Sequence, residues 1–146
     1  MGNSEASTVE EYLLRAPVLS AAYMPDGHQL IITDDSGAVT ILESITGTVV
    51  RTFRTGMASI SHANVSMDGH WLATVSLDQM VRLWRLPDAL LQKTIGVNND
   101  VTSIAFSNDD AKLLVGFSNG ISYLIDTASG RTKSIFSGPV VSGQPG

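Results

Sequence analysis

Residues 101–125 read VTSIAFSNDDAKLLVGFSNGISYLI. Val101–Phe106 is a short β-type run that ends in Asn108-Asp109-Asp110. Asp and Asn tolerate the backbone angles of tight turns and hydrogen-bond to their own main chain two residues on. A second apolar run, Leu113–Phe117, follows and closes on Ser118-Asn119-Gly120. Asn-Gly between two such runs is the strongest short-range signal for a hairpin. The third run is Ile121–Ile125; after a Ser129-Gly130 turn, a fourth covers Thr132–Phe136.

Working upstream, the same phrase recurs twice. Residues 60–84 read ISHANVSMDGHWLATVSLDQMVRLW and residues 18–42 read VLSAAYMPDGHQLIITDDSGAVTIL. Tyr23, Val65 and Phe106 are separated by 42 and then 41 residues. So are Asp26, Asp68 and Asp109, then Leu30, Leu72 and Leu113, then Leu42, Trp84 and Ile125, then Phe53, Ile95 and Phe136. Inside these units the runs are Val18–Tyr23, Leu30–Thr33, Val39–Leu42 and Val49–Phe53, and then Ile60–Val65, Leu72–Ser76, Val81–Trp84 and Leu91–Ile95. Four short antiparallel strands at this period, split by Asp- and Gly-bearing turns, predict one four-stranded sheet per unit.

At these residues the chain resembles the WD40-repeat family. The resemblance rests on Val101-Thr-Ser-Ile-Ala-Phe-Ser-Asn-Asp109 and on Val81-Arg-Leu-Trp-Arg85, and it covers about residues 16–138. It implies an all-β chain of three β-propeller blades (16–56, 57–99 and 100–138), flanked by an N-terminal segment 1–15 and a tail 139–146. The Trp-Asp pair that names the family reads Leu42-Glu43, Trp84-Arg85 and Ile125-Asp126, and the Gly-His pair before the first strand is missing throughout. In the family that His joins a Ser or Thr, a turn Asp and the Trp in a buried network. Only blade two keeps most of it, with Thr74, Asp78 and Trp84, whereas Ser36 and Asn119 replace the Asp in the other blades. A buried polar network missing a member is costly, so apolar packing is expected to carry these blades.

Propellers close with about four to eight blades. Three form an arc, which is expected to leave one face of blade one and one face of blade three bare, and large bare apolar faces mark contact sites. A second copy could close the ring head to tail, another chain could supply blades, or the chain could be part of a longer propeller. Ser137-Gly138-Pro139-Val140 reads as the entry to a fourth blade. Near the start, Thr8 and Glu11 are spaced as a capping box with Val9, Tyr12 and Leu13 on one helical face; alternatively, Tyr12-Leu13-Leu14 forms a closing strand.

Composition narrows the function. The 146 residues carry a net charge of −5 and are 43% hydrophobic. An acidic surface repels phosphate backbones, which argues against nucleic acid as a partner. The absence of cysteine excludes disulfides, thiol catalysis and Cys-bound zinc. No apolar run is long enough to cross a bilayer as a helix, and Met1–Ser7 has no secretory pattern. An intracellular protein, cytoplasmic or nuclear, with no membrane role is therefore expected.

No nucleophile elbow, phosphate loop or dinucleotide fingerprint occurs, and no His pair has ligand spacing. Asp26, Asp68, Asp109 and Asp110 track the hairpins, so turn geometry explains them better than calcium does. His28 and His70 follow two of these turns, where exposed polar residues belong. His62, on an innermost strand at the place of Ser20 and Ser103, is the best candidate for a rival reading, a ligand-binding or enzymatic channel. Asn64-Val65-Ser66 matches a glycosylation sequon but lies within a strand, and it is expected to stay unmodified. Trp71 stands where the other units have Gln29 and Lys112, and Arg82 and Tyr123 share one place on the third strand. With His62, these are the candidate protein contacts. The resemblance implies a non-catalytic scaffold or assembly subunit without cofactors, binding proteins as a homo-oligomer or in a larger complex. Its rival is a subunit that completes another chain's propeller.

Overall fold

The computed structural model describes residues 16–56 and 58–137. The N-terminal helix-or-strand alternative and the entry to a fourth blade at 138–140 lie outside the described residues. Blade one comprises β1 (Val18–Tyr23), β2 (Gln29–Asp34), β3 (Ala38–Glu43) and β4 (Val49–Arg54). Blade two comprises β5 (Ile60–Val65), β6 (Trp71–Ser76), β7 (Met80–Arg85) and β8 (Leu90–Gly96). Blade three comprises β9 (Val101–Phe106), β10 (Lys112–Phe117), β11 (Ile121–Asp126) and β12 (Thr132–Ser137). Each is a four-stranded antiparallel sheet with its strands in chain order. The first strands of the blades neighbour one another, β1 against β5 and β5 against β9, and among the described residues the sheets do not close into a ring.

One first-hairpin turn is built three times. In blade two, Ser66 N–H donates to Trp71 O at 2.9 Å and Gly69 N–H to Ser66 O at 3.0 Å. The Asp68 carboxylate accepts from Ser66 Oγ at 2.7 Å and from His70 N–H at 2.9 Å. Blade three repeats each bond with Ser107, Lys112, Asp109, Asp110 and Ala111. Asp26 likewise accepts from His28 N–H at 2.9 Å. The aspartates therefore serve turn geometry. The third turn position is left-handed in every blade, with φ of 76° at Gly27, 77° at Gly69 and 62° at Asp110.

Strand alternation gives each central strand two apolar faces, one for each neighbouring blade. Ile31, Val39 and Ile41 of blade one pack on Ile60, Leu72, Trp84 and Leu86 of blade two. Ala73, Val75, Val81 and Leu83 on blade two's other face pack on Leu113, Val115, Phe117 and Ile125 of blade three. The core thus lies in two seams between sheets, and Trp84, 6% exposed, is a core residue.

The two outer faces differ from each other. On blade three, Leu114 is 39% and Phe136 49% exposed, as expected for an uncovered face. On blade one the outward-facing Ile32, Thr40 and Leu42 are 8%, 7% and 1% exposed. The expectation of a bare face is thus met on blade three, whereas these three positions of blade one are little exposed.

Candidate interaction site

The structure places all four candidate contacts at the seams. Arg82 lies between blades one and two with its side chain 14% exposed. Its guanidinium pairs with Asp78 at 3.0 Å and donates to Ser76 Oγ at 3.3 Å. A Cβ on Gly56, which leads from blade one into blade two, would lie 3.5 Å from the same guanidinium. Tyr123, at the matching place in blade three, meets Phe117 edge-on at 4.8 Å in the second seam. Trp71 packs against that seam's core beneath the Arg85 guanidinium, 5.0 Å from its ring. These side chains spend their chemistry inside the chain.

His62 joins two blades. Its Nε2 lies 3.1 Å from Thr102 O on β9 and its Nδ1 3.0 Å from Ser61 Oγ. Two residues on, Asn64 Nδ2 donates to Ile104 O at 3.2 Å. Both side chains thus reach main-chain carbonyls of the neighbouring first strand. Among the described residues, no group of three metal-ligating side chains comes together.

The expected polar network divides in two. Trp84 Nε1 donates to Thr74 Oγ1 at 3.1 Å, and both residues are buried. Asp78 does not join them, because its carboxylate pairs with Arg82. In blade one the work falls to Asp34, which accepts from Ser36 Oγ at 2.6 Å, Ser36 N–H at 2.8 Å and Ala38 N–H at 3.1 Å. Burial raises the pKa of that carboxyl, but these bonds and the nearby Arg54 outweigh it and hold the group below its ordinary value. In blade three the Asn119 side chain accepts from Ile121 N–H at 3.0 Å.

The feature that sequence reading missed is Asp110. It is 8% exposed, and its two carboxylate oxygens accept the N–H groups of Met67 at 2.7 Å and Asp68 at 2.9 Å. The carboxylate straps blade three's first turn to blade two's. A signal for it exists, since Asp110 stands where the other two units have glycine.

Residues 47–85 match the family model described as "WD domain, G-beta repeat". Over 122 residues, 84% of its length, the chain is 25% identical to U3 small nucleolar RNA-associated protein 21 of Saccharomyces cerevisiae, of which it spans 13%. It is 30% identical over 109 residues, 69% of its length, to a bromodomain and WD repeat-containing protein of Dictyostelium discoideum, spanning 5% of it. Nuclear distribution protein PAC1 of Coccidioides posadasii is 34% identical over 77 residues, which are 52% of this chain and 16% of that protein. Among solved structures, the RRP9 WD40 repeats superpose with a TM-score of 0.79 at 13% identity, and U3-55K with 0.78 at 14%. Each match covers 86% of this chain and 40% of the other. At such identities the structures speak for the fold alone.

Proposed function

Since this chain is a WD40-repeat protein, we propose that it is a non-catalytic scaffold whose blades assemble with a protein partner. The observation that carries this is the open face of blade three. Leu114 and Phe136 lie there half exposed, at places whose counterparts in blades one and two are covered by the next blade. Covering such a face releases water from apolar surface, at about 25 cal/mol per Å². The partner surface is assigned to this flank rather than to Trp71, Arg82, Tyr123 or His62, which are engaged within the seams. The likeness to a U3 small nucleolar RNA-associated protein favours a nuclear setting, which imaging of the tagged chain in cells would test.

Affinity purification of the chain with Leu114→Asp and Phe136→Asp as a control pair tests the reading. Partner proteins should co-purify stoichiometrically with the natural chain and be lost from the pair. A monodisperse, partner-free monomer that binds nothing through this face would overturn it.

A further inference from the structure

The two seams handle one turn contact differently. In the second seam, Asp110 faces a pair of donors, the N–H groups of Met67 and Asp68. In the first seam the counterpart of Asp110 is Gly69, and a Cβ there would lie 3.8 Å from Pro25 Cδ and from Met24 Cε. Pro25 stands at Met67's place and has no N–H to offer. The residue at the third turn position therefore matches the turn it faces: a carboxylate where the neighbour presents two donors, glycine where proline removes one.

The open flank presents the donor-bearing version. Blade three's turn repeats blade two's bond for bond, so Asn108 and Asp109 hold the places of Met67 and Asp68. Both are exposed, and among the described residues their N–H groups make no hydrogen bond to another residue. They border the same face as Leu114 and Phe136.

We propose that this flank receives a further propeller blade of another polypeptide segment, one carrying aspartate at the third position of its first turn. Its carboxylate accepts the N–H groups of Asn108 and Asp109, as Asp110 accepts those of Met67 and Asp68. Charge-assisted bonds of this kind are roughly twice as strong as neutral ones and fix orientation, so the turn sets the register in which the incoming blade docks. A second copy of this chain does not fit. It would offer blade one, whose residue at that position is Gly27, which has no carboxylate to give. The inference rests on the reading of the flank as a partner surface and specifies that partner's chemistry.

The probe is the full chain with residues 97–137 inserted a second time after Ser137, so that a copied blade carries the Asp110 counterpart. Blade docking is read by thiol labelling of Leu114→Cys, the chain being otherwise free of cysteine. The catch is read by amide hydrogen exchange at Asn108 and Asp109. Labelling and exchange should both slow by about tenfold or more, the size expected for an ordered contact. Asp110→Gly in the copied blade only, or Asn108→Pro to imitate Pro25, should restore fast exchange at the remaining turn amides. Slow labelling with equal exchange in the Asp and Gly versions would overturn the carboxylate catch and leave the scaffold reading standing. Unchanged labelling in every version would overturn both.

Discussion

Trp84 Nε1 donates to Thr74 Oγ1 across two adjacent strands of blade two, at 3.1 Å and away from water. The indole ring also lies 5.0 Å from Phe53 of blade one, so one residue closes a seam and satisfies its own polar atom. Thr74→Val keeps the shape and leaves the indole N–H buried without an acceptor, at a cost of about 1–3 kcal/mol. Urea unfolding should show that loss, and it should shrink in a Trp84→Phe background, where no donor remains. An equal loss in both backgrounds would mean the bond contributes nothing.

Two left-handed glycines separate steric from conformational cost. A Cβ on Gly37, at φ 88°, would come within 2.7 Å of Ala58 O and 2.9 Å of Gly56 O, both main-chain atoms. On Gly27, at φ 76°, it would meet nothing within 4 Å. Gly27→Ala should cost about 1 kcal/mol from backbone strain alone. Gly37→Ala should cost about 3 kcal/mol or more, since the link from blade one to blade two must move. Thermal unfolding of the two variants side by side checks the order.

The strand pattern is legible because every element carries its own signal. The three first strands fall on the β-runs of the sequence, and the remaining boundaries differ by one residue at most ends, where Gln29, Asp34, Ala38 and Glu43 extend the ladders. What the sequence could not show was which polar groups meet. Asp78 occupies the family's network position, but with no His to hold it, its carboxylate turns to Arg82 four residues on. Arg82, Tyr123 and Trp71 resemble surface contacts in sequence because single-strand periodicity does not reveal that the face each of them lies on meets a neighbouring blade. His62 looks free for the same reason, since its acceptor, Thr102 O, is 40 residues away.

Acid should weaken the first turns. The Asp68 carboxyl lies at about 2, held down chiefly by the His70 N–H, against burial, and then by the Ser66 hydroxyl and the His70 side chain. Its ordinary value is 3.8. A carboxyl depressed by folding contributes stability that is complete above the unfolded value and is lost as pH falls toward the folded one. Asp109, its counterpart in blade three's first turn, and Asp34, in blade one's second turn, are lowered in the same direction. The urea midpoint should therefore fall between about pH 4 and pH 2. Asp68→Asn keeps an acceptor in the turn but removes the titrating group, so its midpoint should fall less over that interval. An identical pH dependence would assign the acid sensitivity elsewhere.

Asp110 combines a left-handed backbone with a buried charge, and the strap must offset both. Asp110→Gly relieves the backbone and deletes the strap, so its effect is the net of the two. Losing two charge-assisted bonds while exposing their donors to water should cost about 2 kcal/mol. Asp110→Ala should cost more, because alanine keeps the unfavourable φ of 62° and gains nothing for it. In a Met67→Pro background one donor is already absent, as in blade one, and Asp110→Gly should then cost about half as much. Were Asp110→Ala neutral in the natural background, the strap would be a passive contact, and blades two and three would be held by the apolar seam between Val75, Val81, Val115 and Phe117 together with the reach of His62 and Asn64 to β9.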